Sequence, residues 1–273
     1  MKKTLLTICL VWMCFSLSAQ KIIDLSGKWS FSIDRQDNGE KEKWFSHTLN
    51  DCINLPGSMP EKLKGDEVTA KTQWTGSLYD SSYYYNPYME KYRKEGNIKF
   101  PFFLTPDKHY VGAAWYQKEV NIPADWKGER ILLFLERPHI ETTVWVNGQK
   151  TGMQNSLCVP HQYDITRYVR PGKCTITIRV DNRIKEINVG PDSHSITDQT
   201  QGNWNGIVGR ICLQTTPKTY FDDIQIYPEP EQKLARVKVV IKGTGTAKVK
   251  LSAESFNTDK KHIVPAIQQE IKL

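Results

Sequence analysis

The chain reads as an all-β protein: an antiparallel β-sandwich of the jelly-roll kind, followed by an incomplete immunoglobulin-like β-sandwich. Three observations predict this. Apolar residues alternate with polar ones from Trp29 onward, a period of two. Turn residues (17 Gly and 14 Pro) punctuate those runs at short intervals. No long stretch carries a helical period, apart from a short helix expected near 89–94, so strands do not alternate with helices as a parallel sheet requires. The length of 273 residues admits one large or two medium domains. With 39% hydrophobic, 11% aromatic and 25% charged residues, disordered, collagenous and coiled-coil classes are excluded.

Residues 1–19 read as a secretory signal peptide. Lys2 and Lys3 precede an apolar run over 5–17, and Leu17-Ser18-Ala19 offers a small-residue cleavage site. Val11-Trp12-Met13 does not supply the small-residue box that a lipidated Cys14 needs. A periplasmic or secreted location is expected. No later segment approaches the ~20 apolar residues of a spanning helix, so no membrane span is expected.

Strands are expected at 29–33, 115–122 and 130–136, the last apolar enough for burial on both faces. The run 142–146 leads into Asn147-Gly148, a dipeptide that accepts the two positive φ angles of a tight hairpin turn. A turn at 170–173 feeds a strand over 175–180, and 207–213 and 221–227 follow. The first domain is expected over 20–218, with an aromatic-rich insertion at 66–112, and the second over 219–273. The second contains further strands at 235–241, 247–253 and 267–273. About four strands fall short of the roughly seven of an immunoglobulin-like sandwich. The chain therefore looks truncated, with one apolar sheet face open to water.

Charge and cysteines narrow the function. There are 37 basic and 30 acidic residues, and the excess collects in 233–273, where Lys248 and Lys250 alternate with Val249 and Leu251 as the solvated side of a strand. That segment holds Phe256 as its one aromatic residue, so no nucleic-acid partner is expected. Cys52, Cys158, Cys174 and Cys212 allow three pairings and lack zinc-ligand spacing; buried thiols or one incidental bridge is the expectation. Cys174 shares parity with Ile176, Ile178 and Val180 and points into a core.

Two constellations carry chemistry. Residues 74–110 hold eleven aromatics, among them Trp74, Tyr79, Tyr83, Phe102, Phe103 and Tyr110. Aromatic faces stack on the C–H face of a pyranose, although most such rings simply pack a loop onto its domain. Trp74 and Tyr110, at the flanks, are the candidates for sugar contact. The polar stretch 181–210 contains Asp198, Asn203, Trp204 and Asn205. Polyols need fixed carboxylates and amides, but Asx side chains also cap their own turns.

Ala114-Trp115-Tyr116-Gln117-Lys118-Glu119-Val120, Val144-Trp145-Val146-Asn147-Gly148, Tyr163-Asp164-Ile165-Thr166 and Gly202-Asn203-Trp204-Asn205-Gly206-Ile207-Val208-Gly209-Arg210 carry a resemblance. Together they resemble the N-terminal, galactose-binding-like sugar-binding domain of glycoside hydrolase family 2, over roughly 22–230. The segment behind it is similar to the start of the family's immunoglobulin-like domain. The resemblance implies a carbohydrate partner (a β-glycoside or oligosaccharide) and two loops, near 101–112 and 198–205, that contact the non-reducing sugar. These loops bring Asp107 and His109 into the candidate set, and Lys108 with His109 would suit an acidic sugar. Thr200-Gln201 replaces more acidic versions of the second loop, and no metal or cofactor is expected. Family catalysis rests on a barrel whose acid/base lies in an Asn-Glu dipeptide, and this sequence contains no Asn-Glu. The chain alone is therefore expected to be inactive, a contributor to the sugar pocket beside a separately encoded catalytic portion. A stand-alone lectin-like module and an adhesive β-sandwich are the alternative readings.

Overall fold

The structure, a computed structural model, describes residues 20–76, 81–100, 104–157, 159–185, 193–194, 196–198, 202–255 and 262–273. The expected signal peptide, Tyr79, Phe102, Phe103, Cys158 and residues 199–201 lie outside the described residues.

The strands in chain order are β1 (Ile22–Asp24), β2 (Gly27–Asp34), β3 (Asp51–Leu55), β4 (Gly57–Ser58) and β5 (Asp66–Glu67). A one-turn helix α1 (Ser82–Tyr85) precedes β6 (Lys108–His109), β7 (Ala113–Ile122), β8 (Arg130–His139), β9 (Glu141–Val146) and β10 (Gln149–Asn155). After them come β11 (His161–Asp164), β12 (Gly172–Asp181), β13 (Gly206–Thr216), β14 (Tyr220–Glu229), β15 (Leu234–Lys242), β16 (Thr246–Ser255) and β17 (His262–Lys272). Two antiparallel sheets form the sandwich. One runs β10-β9-β12-β7-β2-β3, and the other runs β1-β13-β8-β11 with β4 added at β13.

Alternation builds the core between them. Ala114, Tyr116, Val120 and Ile122 of β7 join Cys174, Ile176, Ile178 and Val180 of β12, and meet Leu133, Leu135, Ile211 and Leu213 of the other sheet. Residues of opposite parity, Trp115 and Trp145, pack outside the six-stranded sheet with Leu49 under Trp44 and Phe45. The run from Ile131 to Leu135 is buried throughout, as its unbroken apolar pattern requires. Asn147 and Gly148 take φ of 50° and 77° and join β9 to β10.

The expected helix near 89–94 is displaced. The chain turns first through α1 and then through a tighter 3-10 segment at Pro87–Tyr92, because the Asn86 side chain accepts the Tyr88 N–H and Pro87 stands at the first position. The short strands β1, β3 and β11 carry too few alternating residues to register as a pattern. Cys174 and Cys212 are buried thiols, and Cys52 is an exposed one.

Beyond Thr216 the chain forms two hairpins, β14–β15 and β16–β17. Phe221, Ile224, Ile226, Ile263 and Ile267 all face solvent there. Among the described residues no helix is long and apolar enough to cross a membrane.

Candidate sugar-binding site

The site forms where β6 leads into β7, β12 ends and β13 begins. Asn182, just past β12, is fully buried and holds these segments together. Its side-chain Oδ1 accepts the Gly112 N–H at 2.8 Å, and its side-chain amide donates to the Tyr110 carbonyl (2.8 Å) and to Asn203 Oδ1 (3.0 Å). Gly206 lets β13 press against β4. A methyl group on it would sit 2.5 Å from the Gly57 carbonyl oxygen, at a φ of +146° that side chains disfavour.

Asp198 is the centre of the arrangement. It is almost wholly buried, and its carboxylate accepts the backbone N–H groups of Thr75 and Asn203, both at 2.6 Å, with His109 Nε2 at 3.3 Å. The Asp198 N–H returns a bond to the Thr75 carbonyl at 2.9 Å. Asn203 donates to Thr75 Oγ1 (3.1 Å) and to the Asn182 carbonyl (3.0 Å). Thr75, in the insertion, is thus clamped to the loop ahead of β13 by its backbone and its side chain. A carboxylate has about four acceptor sites. Among the described residues three of these are occupied on Asp198, and Asn203, whose Oδ1 accepts from Asn182, also hydrogen-bonds His139.

A cleft of about 980 Å³ opens over this centre, and Asp107, Asp198, Asn203 and Trp204 are among its lining residues. Trp204 is half-buried, and its ring stacks on His139 with centroids 4.6 Å apart and planes at 26°. Burial holds His139 neutral, with its pKa pushed down to about 4 against the opposing influence of Asn203 and Asp198. Trp74 lies against His109 (4.8 Å) and Phe100 (4.9 Å), and Phe100 stacks on Tyr83 (4.4 Å). An aromatic row therefore runs from the insertion to the Asp198 cluster.

The other candidates sit behind the cleft. Asn205 is fully buried: its Oδ1 accepts the Tyr116 hydroxyl (2.7 Å), and its amide donates to the Gly112 and Val180 carbonyls (2.9 Å each). The Tyr110 hydroxyl donates to the Ala113 carbonyl (2.9 Å), its ring belongs to the core, and burial pushes its pKa up. Lys108 is ion-paired with Glu67 and His109 is buried against Asp198, and neither is among the residues lining the cleft. Lys99 is the remaining cation in the cleft lining. Among the described residues no group of His, Cys, Asp and Glu converges as a metal site.

Thr75, His139 and Asn182 complete the site and carry no sequence signature of their own. Beside it, Arg179 contacts Asp37 (2.6 Å), Asp181 (3.1 Å) and Glu141 (3.3 Å), and Arg183 and Lys185 also reach Asp181. Burial alone would raise the Asp181 carboxyl, but hydrogen bonds from Arg183 and Lys185 outweigh it and hold the pKa far below the usual carboxylate range.

Residues 22–217 match the pattern of "Glycosyl hydrolases family 2, sugar binding domain". This chain belongs to that family. Its relatives include the β-glucuronidase of Pongo abelii, 24% identical over 266 residues and covering 87% of this chain and 35% of the relative. The β-glucuronidase of Paenibacillus borealis is 25% identical over 222 residues, covering 76% and 31%. The chain thus spans about a third of the length of these family 2 relatives. Among solved structures, a Ruminococcus gnavus β-glucuronidase superposes with a TM-score of 0.59 at 16% identity, covering 93% of this chain and 39% of that one. A β-glucuronidase from an uncultured Clostridium sp. gives 0.57 at 20% identity, covering 93% and 40%. At these identities the likeness establishes the fold, the all-β N-terminal sandwich of family 2.

Proposed function

We propose that the cleft over Asp198 binds the sugar of a β-glycoside, and that the chain supplies this contact to a family 2 glycosidase. One observation carries the reading. Asp198 and Asn203, a carboxylate and an amide, are held rigidly by hydrogen bonds in a cleft that Trp204 also lines. Hydroxyl acceptors beside an aromatic ring are what a pyranose needs. The β-glucuronidase relatives favour a glucuronide, and among the described residues Lys99 is the cation in the cleft lining. Retaining hydrolysis takes two carboxyl groups ~5–5.5 Å apart on a rigid frame. These 273 residues contain no Asn-Glu, so the role proposed for them is sugar binding, with the catalytic acids supplied from outside them.

The leader-like residues 1–19 support a periplasmic or secreted location. A domain boundary near residue 218 is supported by the gap between β13 and β14. Calorimetric titration of the chain with methyl β-D-glucuronide and methyl β-D-galactoside tests the reading. Saturable binding in the millimolar range, weakened at least about tenfold by Trp204→Ala, is expected. Absence of binding to either glycoside, or binding indifferent to Trp204, would overturn it.

A further inference from the structure

We propose that the end of the sandwich opposite the sugar cleft carries a second binding site, which takes a small amphiphilic anion: an apolar body ending in one carboxylate. The sugar cleft lies where β7 and β13 begin and where β8 and β12 end. At their other ends, Ile122 closes β7, Arg130 opens β8, Pro171 stands just ahead of β12 and Lys218 just past β13. All four line a separate cleft of about 540 Å³, within the ~300–1,000 Å³ of small-molecule sites. The ten residues of β12 span about 30 Å between the two ends, so one small ligand cannot reach both.

The floor of this second cleft is apolar. Ile122, Trp126, Ile131 and Val169 belong to the core and reach its surface here. The rim is cationic. Lys127 comes from the turn between β7 and β8, Arg170 from the turn ahead of β12, and Lys218 from the link to β14; all three are exposed. Among the described residues none of the three has a carboxylate partner. Beside the sugar cleft, by contrast, Lys108 pairs with Glu67 and Arg183 with Asp37. Arg170 turns Nη1 onto the Val169 carbonyl at 2.6 Å, which leaves Nε and Nη2 as donors. Two carboxylates also line the cleft. Asp164 is occupied, since it accepts from Arg130 at 2.8 Å and from the Thr166 N–H at 3.1 Å. Arg130 in turn lies 3.8 Å over the Tyr220 ring, so that pair is closed on itself. Glu129 is left against three rim cations, a surplus of two positive charges. A carboxylate would take charge-assisted hydrogen bonds from the rim, while its apolar body would displace water from the floor and from the alkyl stems of the lysines.

The test follows the indole N–H signals of ¹⁵N-tryptophan-labelled full chain while 4-phenylbutanoate, 4-phenylbutan-1-ol or sodium sulfate is added. With the carboxylate, the Trp126 signal should move saturably while Trp204 stays still. Its affinity should exceed that of the alcohol by about tenfold or more. Arg170→Gln combined with Lys218→Gln should bring the carboxylate down to the affinity of the alcohol. Both side chains are exposed, so this variant should melt like the wild type. Equal affinities for acid and alcohol, a stationary Trp126, or a double variant that binds like the wild type would each overturn the proposal. Sulfate saturating the same signal as tightly as the carboxylate would mark a bare anion site and overturn it too. Movement of Trp204 with methyl β-D-glucuronide is independent of all these outcomes, so either site can fail alone.

Discussion

Replacing Asp198 by alanine strips the site of its central acceptor. Asp198 is about 1% exposed, and its loss strands two N–H donors each now bonded at 2.6 Å, the buried one of Asn203 and the half-buried one of Thr75. A buried donor left without a partner costs ~1–3 kcal/mol and a half-buried one less, so the pair costs about 3 kcal/mol. For a domain of this size each kcal/mol lowers Tm by ~2–4 °C, giving a fall of about 6–12 °C in a calorimetric or near-UV CD melt. Asp198→Asn keeps one carbonyl acceptor and should lose roughly half as much. Because Thr75 ties the insertion to this carboxylate, residues 66–112 should also become protease-sensitive before the sandwich does. A melt of Asp198→Ala within about 2 °C of wild type, or an insertion as resistant as before, would refute the reasoning.

Three further outcomes follow from the same contacts. His139 titrates near 6.5 when unfolded and near 4 when folded, so between those values the unfolded chain binds more protons. Stability should therefore fall by about 3 kcal/mol as pH drops from 6.5 to 4, and His139→Phe should flatten that part of a Tm–pH profile; an unchanged slope would contradict it. Gly206→Ala places a methyl 2.5 Å from the Gly57 carbonyl and should lower stability by about 2 kcal/mol or more in urea unfolding, and an unshifted midpoint would dismiss the close approach. Arg179→Met leaves the buried Glu141 and Asp181 short of a partner and should cost about 3 kcal/mol by the same measurement; a neutral effect would mean that Arg183 and Lys185 suffice.

The sandwich is legible in the sequence because period two survives wherever a strand is long. Trp115 and Tyr116 on β7, and Ile176 to Val180 on β12, announce their faces by parity alone. The polar positions of the same strand, Thr177, Arg179 and Asp181, are buried as well, which alternation alone does not show. The edge strands are too short and polar to show the pattern. At the site, residue chemistry was legible and direction was not. Asp198, Asn203 and Asn205 are equally suited to sugar hydroxyls and to backbone amides, and tertiary position alone turns Asn205 inward to Tyr116 while Asp198 and Asn203 line the cleft. His139 ends an apolar strand, and nothing local to it foretells the ring that stacks on it.

The central claim is that the cleft at Asp198, Asn203 and Trp204 takes a sugar. Indole N–H signals of ¹⁵N-tryptophan-labelled chain, followed while methyl β-D-glucuronide is added, test it most directly. The account predicts that the Trp204 signal moves saturably and Trp74 to a lesser degree, while Trp29 and Trp126 in the core stay still. Stationary Trp204 with movement at the core tryptophans, or no movement at all, would contradict it.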